Sequence, residues 1–240
     1  MRVAYHKTIF RADYRPSVRF YDKLYSLAAS VEGYPDWWTE GLSLTLQNYD
    51  RHCSIQLRHN FSAYGQDMKG KAEEDDTRIR QAIGLITSIP RDGEYQRVAL
   101  RRMYLHPVSM TFADLVSVVG EKFLAQNAQI REGICPTPTD LSYVVDFQEA
   151  SAKVKLRTGP MRRDELESHL QPDRQNNFSP KERSLSAGEL YSDYAEVSLF
   201  TDVDYFEEGV KETELVGAYE TALSFHEKLA KNVLNYVFGF

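Results

Sequence analysis

Cysteine is scarce in this sequence, with only Cys53 and Cys135 among 240 residues. Two cysteines so far apart cannot build a framework of disulfides, and we expect two reduced, partly buried thiols. No apolar run approaches the roughly 18 to 20 residues that span a bilayer. The first residues also lack the apolar core of a signal peptide. Together these absences predict a cytoplasmic protein that does not contact a membrane.

Familiar catalytic motifs are missing as well. The 13 glycines are scattered singly, which excludes the usual phosphate-binding loops, and no Gly-x-Ser-x-Gly or Cys-x-x-Cys motif occurs. We therefore predict no catalytic residue and no cofactor, and we consider an enzyme the less favoured class. The formal net charge of −6 also disfavours a non-specific nucleic-acid binder, because such proteins need cations to neutralise phosphate.

Hydrophobic periodicity predicts an α+β fold whose element order occurs twice. A strand, a helix, a hairpin over 42–60 and a second helix follow one another in the first half. A strand over 95–105 begins the second half, which continues with a helix, a hairpin, an insertion, a strand over 195–203 and a last helix. We predict two similar β-α-β-β-(β)-α halves, 1–92 and 93–240, as a ferredoxin-like duplication with antiparallel sheets backed by helices.

A polar segment, 159–189, interrupts the second half. Connections of this length are unusual inside a compact domain. The segment is either a mobile surface insertion or a loop that binds a partner or ligand. Under the second interpretation, Arg162 and Arg163 are candidate partner-binding residues.

The best candidate for a metal site is the pair Asp202 and Asp204. On a strand these two carboxylates lie on the same face, where they could hold Mg²⁺ or Mn²⁺ for phosphoryl chemistry. A metal nuclease should also bring a third acid and a nearby lysine, and the sequence identifies neither. The alternative is a solvated strand end at the edge of a sheet.

The last helix carries an apolar seam with a histidine in its middle. A seam with heptad-like spacing either faces the sheet or pairs with another chain in a dimer. Its two candidate partner-binding residues are Tyr219 and His226, although a histidine on an apolar face is more often a satisfied core residue. The seam consists of Leu215, Tyr219, Ala222, His226, Leu229, Val233, Tyr236 and Phe240.

Two adjacent tryptophans, Trp37 and Trp38, lie in a predicted loop. Adjacent aromatic side chains do not easily both face one core, so we expect one of them to be exposed. Exposed tryptophan is enriched at protein interfaces. Both residues are therefore candidates for partner binding as well as for packing.

The densest basic group includes Arg97 and Arg101, which share one face of the strand over 95–105. A basic sheet surface could bind RNA, as ferredoxin-like modules do. No aromatic run typical of such modules is visible, and surface ion pairs are the alternative role for these arginines.

The strand 199–204, followed by a helix that carries Leu223-Ser224-Phe225-His226 and ends Asn232 to Tyr236, resembles a known pattern. It is similar to the C-terminal half of a sporadically distributed, uncharacterised bacterial protein family of about this length. The patchy distribution of that family implies accessory or defence-island genes, and the resemblance brings no activity with it.

Our leading hypothesis is a non-enzymatic cytoplasmic interaction protein, a subunit or regulator of a bacterial accessory system such as phage defence. Its partner would be a protein or a second copy of the chain. One alternative is a metal-dependent enzyme that acts on nucleic acid through Asp202 and Asp204. Another is an RNA-binding protein with two ferredoxin-like modules that uses Arg97 and Arg101.

Overall fold

Nine strands form one antiparallel sheet in the described part of the computed structural model. The order along the sheet is β2-β3-β4-β5-β1-β6-β9-β8-β7, and neighbouring strands are hydrogen-bonded. The structure describes residues 4–17, 19–41, 43–67, 73–89, 93–124, 138–166, 168, 184–186, 189 and 191–239. Cys135 and most of the segment 167–190 lie outside these residues.

The first half of the chain contributes one side of the sheet and two helices. Its elements are β1 (Ala4–Asp13), α1 (Arg19–Ser30), β2 (Asp36–Glu40), β3 (Ser43–Asn48), β4 (Cys53–Arg58), β5 (Phe61–Asp67) and α2 (Glu73–Thr87). The predicted hairpin is therefore the centre of a four-strand meander.

The second half contributes the other side of the sheet. Its elements are β6 (Tyr95–Pro107), α3 (Phe112–Leu124), β7 (Tyr143–Glu149), β8 (Ala152–Arg162), β9 (Val197–Val210) and α4 (Leu215–Phe238). The central strands β1 and β6 pair with each other, so the strands of both predicted halves belong to a single sheet. A large antiparallel sheet with a few helices is thus confirmed, whereas the ferredoxin-like duplication stays a prediction.

The helices α1 to α4 pack on one face of the sheet, which we call the helix face. Alternate strand residues supply its apolar side chains: in β4, Cys53, Ile55 and Leu57 are buried, while the residues between them are partly or fully exposed. Apolar helix residues, among them Phe20 of α1 and Ile79 of α2, fill the same core. Burial of this continuous apolar layer is the main force that stabilises the fold.

Candidate functional site

None of the helices α1 to α4 lies on the opposite face of the sheet, which we call the open face, although the helical residue Leu166 packs at one end of it. Cross-strand pairs place the alternate side chains of β4, β5, β1, β6, β9 and β8 on this face. Many of them are charged, and three of them are phenylalanines, Phe61, Phe200 and Phe206. The open face includes Arg11, Asp13, Arg58, Phe61, Arg97, Arg101, Lys153, Lys155, Asp202, Asp204, Phe206 and Glu208.

Phe61 and Phe206 each lie against two cations. The Cζ atoms of Arg11 and Arg58 are 4.2 and 5.2 Å from the centroid of the Phe61 ring. In the other half, the Cζ atom of Arg97 is 4.4 Å and the Nζ atom of Lys153 is 5.9 Å from the ring centroid of Phe206. We call these groups the Phe61 cluster and the Phe206 cluster. Cation–π attraction holds each ring in place while leaving it partly exposed.

Arg101 and Asp202 form a two-bond ion pair across β6 and β9. The Nε and Nη2 atoms of Arg101 donate to the two carboxylate oxygens of Asp202 at 2.9 and 2.7 Å. This fork geometry fixes both side chains more firmly than a single contact would. The Arg101 side chain remains 43% exposed, so the pair is open to solvent and to a partner.

Arg97 bridges two carboxylates, those of Asp204 and Asp13, with one contact to each. Its Nη2 atom donates to Asp204 at 3.0 Å, and its Nη1 atom lies 3.8 Å from the Asp13 carboxylate. Burial raises the pKa of Asp204, while the charges of Arg97 and Arg101 oppose that shift. The two arginines predicted to bind RNA are therefore each engaged by carboxylates.

The predicted metal residues Asp202 and Asp204 do lie on one face, but arginines occupy their oxygens. Among the described residues, no group of three His, Cys, Asp or Glu side chains is arranged to hold a metal ion. The metal site stays a prediction. The alternative, a solvated strand end at the edge of the sheet, is wrong, because β9 lies between β6 and β8 and the Asp202 side chain is only 12% exposed.

Most of the apolar seam of α4 faces the sheet, but Tyr236 is 47% exposed and Phe240 lies outside the described residues. Tyr219 and His226, predicted as candidate partner contacts, are fully buried, so neither offers a surface to a partner. The Nε2 atom of His226 donates to the Leu100 carbonyl at 2.7 Å, and burial lowers the pKa of this histidine to about 3. The hydroxyl of Tyr219 donates to Asp76 at 2.6 Å. Both residues thus have a core role, although the Nδ1 atom of His226 has no hydrogen-bond partner among the described residues.

Trp37 and Trp38 lie in the edge strand β2 and not in a loop, which corrects the sequence prediction. Their side chains point to opposite faces because neighbours in a strand alternate. Trp37 is 52% exposed, and Trp38 is half-buried. The expectation that one tryptophan is exposed is met, and the role of the pair in partner binding stays a prediction.

The ends of the polar insertion pack onto one end of the open face. Leu166 and Tyr191 contribute to a second, small core with strand residues of β6, β8 and β9. The Nη1 atom of Arg163 donates to the carbonyls of Ser192 and Tyr194 at 3.2 and 3.3 Å, which ties the two ends together. The strand residues of this core are Met103, Leu105, Met161 and Phe200.

Arg162 lies outside this second core. Its guanidinium is 3.5 Å from the centroid of the Phe112 ring, and its Nη1 atom donates to Glu165 at 3.0 Å. Arg162 and Arg163, both predicted to bind a partner, therefore make contacts within the chain. Their role towards a partner is untested.

The sequence analysis missed the Phe61 and Phe206 clusters. Phe61, Arg11 and Arg58 belong to three strands, and nothing in their spacing along the chain indicates that they meet. The strand order of the sheet brings them together, and only a correct pairing of β1 with β5 and of β5 with β4 would have revealed it.

Comparisons with known proteins give little. No protein family and no curated protein matches the sequence. Among solved structures, a Methanococcus jannaschii TBP is similar at 8% identity and a TM-score of 0.32, over 100% of each chain. We draw no conclusion about fold or function from a similarity this low. In the described residues, no helix is long and apolar enough to cross a membrane.

Proposed function

We propose that this chain is a non-enzymatic interaction or regulatory subunit that binds a protein partner through the open face. The observation that carries the proposal is the pair of half-exposed arginines, Arg97 and Arg101, which carboxylates hold in place, with Arg97 also packed on the Phe206 ring. Arginine and aromatic side chains are enriched at protein interfaces. Their fixed geometry lowers the conformational entropy that a partner must overcome on binding.

The charges of the open face distinguish a protein partner from a nucleic acid. Acids alternate with cations on the open face: Asp13, Asp202 and Asp204 neutralise the arginines, and Glu208 lies 2.8 Å from Lys153. A phosphate backbone would have to displace these carboxylates, whereas a protein surface of mixed charge can match both signs. The open face therefore favours a protein over a nucleic acid.

The two clusters also support a duplication of the fold. Phe61 pairs with Asp13 and contacts Arg11, two residues earlier in β1. Phe206 pairs with Ala99 and contacts Arg97, likewise two residues earlier in β6. The second cation lies on the next strand in both cases, and the order β4-β5-β1 mirrors β8-β9-β6. We infer two related halves arranged around the β1–β6 pair, in agreement with the predicted division near residue 92.

The proposed subunit would act in a bacterial accessory system such as phage defence, in keeping with the family resemblance of the C-terminal half. Site-specific photo-crosslinking in host cells tests the surface. A benzophenone amino acid at Phe206 should give one defined protein adduct, identified by its mass. The same amino acid at Val216, which is 44% exposed on α4, should not give that adduct.

A charge swap separates binding from stability. Replacing Arg101 by Asp and Asp202 by Arg together keeps an ion pair within the chain but reverses its direction. The swapped protein should keep its unfolding midpoint and lose the Phe206 adduct. The same adduct from Phe206 and from Val216, or a Phe206 adduct that the charge swap leaves unchanged, would contradict the proposal. A Phe206 adduct that ribonuclease removes would favour the RNA-binding alternative.

A further inference from the structure

The outer edge of β7 carries backbone groups that no strand pairs with in the described part of the chain. The two-residue turn at Ala150 and Ser151 joins β7 to β8 with Glu149 opposite Ala152. Antiparallel pairs alternate between bonded and non-bonded, and the pair beside such a turn is bonded. The N–H and C=O groups of Val144, Asp146 and Gln148 therefore point to the outer edge.

Apolar side chains border this edge on both faces of the sheet. Val144 is 58% exposed on the open face. On the helix face, Tyr143 stacks on Phe123 at 4.5 Å between ring centroids, and Phe147 lies 6.3 Å from Phe225, yet both strand residues remain half-buried. Exposed strand edges are usually protected by charges, prolines or bulges. The protection of β7 near its centre is limited to Asp146.

We propose that a second copy of this chain pairs with the edge of β7, in an antiparallel arrangement with its two-fold axis at Val145. In this register Val145 faces its own copy, Tyr143 faces Phe147 of the second chain, and Val144 faces Asp146. The outward backbone groups of Val144 and Asp146 bond to each other across the axis. A register centred on Asp146 would overlap more residues, but it would oppose two carboxylates directly.

The other edge of the sheet is unsuited to the same pairing. In β2, the longest antiparallel self-pairing is centred on Trp38 and places Asp36 opposite Glu40 at both ends. Like charges directly opposite one another destabilise a strand pair. Registers of β2 that avoid this contact pair at most four residues, against five in β7, so charge and length together favour β7 as the self-pairing edge. This dimer goes beyond the proposed function, because it uses a strand edge and leaves the Phe206 cluster accessible.

Two single-cysteine additions test the register. Directly opposite residues of a non-bonded antiparallel pair have Cα atoms about 4.5 Å apart, which suits a disulfide. Val145→Cys should therefore form a disulfide dimer on mild oxidation. Val144→Cys should not, because the two copies of residue 144 are offset diagonally by about 7 to 8 Å. The parent chain controls for its own cysteines, and preferential cross-linking through Val144→Cys would overturn the register.

Two charge variants at the exposed Val144 test the affinity. Val144→Asp faces Asp146 of the second chain and should weaken the dimer, whereas Val144→Lys should strengthen it. With two such contacts per dimer, we expect dissociation constants about tenfold apart by sedimentation equilibrium. Circular dichroism checks that both variants fold. A parent chain that stays monomeric at its solubility limit, or equal constants for both variants, would overturn the dimer. Neither result affects the Phe206 adduct, so the two proposals fail separately.

Discussion

Acid should unfold this protein over the pH range in which two buried histidines gain a proton. His106 in β6 is fully buried and stacks on Tyr104 with the ring planes 8° apart. Neither of its ring nitrogens has a hydrogen-bond partner among the described residues. Burial lowers the pKa of His106 to about 4, and that of His226 to about 3, from the ordinary 6.5.

The direction of the effect follows from proton linkage. Between the unfolded pKa of 6.5 and the lowered folded values, the unfolded chain binds protons that the folded chain excludes. The histidine contribution to stability is therefore fully present above pH 6.5, and it is lost as the pH falls towards 4. At about 1.4 kcal/mol per pKa unit, His106 accounts for about 3 kcal/mol and His226 for about 5 kcal/mol. Their sum is comparable with the whole stability of a typical domain.

Urea unfolding of the parent and of His106→Phe at pH 7.0, 6.0, 5.0 and 4.5 measures this effect. The variant keeps a flat ring against Tyr104 and removes one titrating group. As the pH is lowered, the free energy of unfolding of the variant should fall less steeply than that of the parent. The two slopes should differ by up to about 1.4 kcal/mol per pH unit. Val98→Ala, a loss of core volume in the same strand, should lower stability equally at every pH. Identical slopes for the parent and His106→Phe would refute the reasoning.

Three further substitutions test packing and hydrogen bonding. Gly159→Ala should lower stability by about 1–3 kcal/mol, since a Cβ atom there would overlap the backbone carbonyl of Leu141. Gly84→Ala meets open space in α2 and should stabilise the protein by up to about 1 kcal/mol. Thermal melts that rank the two variants in the opposite order would contradict this prediction. Tyr219→Phe removes the hydrogen bond to Asp76 and should cost about 1–3 kcal/mol in urea unfolding at pH 7. An unchanged midpoint would show that the bond contributes nothing.

The sequence predicts the central elements of the fold well, because their apolar residues alternate or recur clearly. In β4 the buried residues Cys53, Ile55 and Leu57 alternate with polar ones, as expected for a half-buried strand. The seam of α4 likewise identifies the helix and the face that packs on the sheet. These patterns arise from burial, which is a local property of each element.

The missed strands lack that pattern for a physical reason. Two of the helix-face positions of β5 are Ser62 and Gln66, polar side chains that are buried in hydrogen bonds with Tyr14 and Tyr64. Their polarity hides the alternation that would have identified a strand. The candidate site was only partly predictable for a related reason: the charges of Arg97 and Asp204 are readable in the sequence, but their pairing depends on strand order.

The central position of β1 has a consequence for the folding of the chain. Residues 4–13 pair with β5 on one side and with β6 on the other, and β6 in turn pairs with β9, about a hundred residues further on. Closing such long loops is entropically costly and slows folding. During synthesis, one edge of β1 stays unpaired until β6 has left the ribosome, because β6 is the strand that pairs with that edge. A ribosome-bound chain is therefore exposed to mispairing along β1 until six of the nine strands have been made.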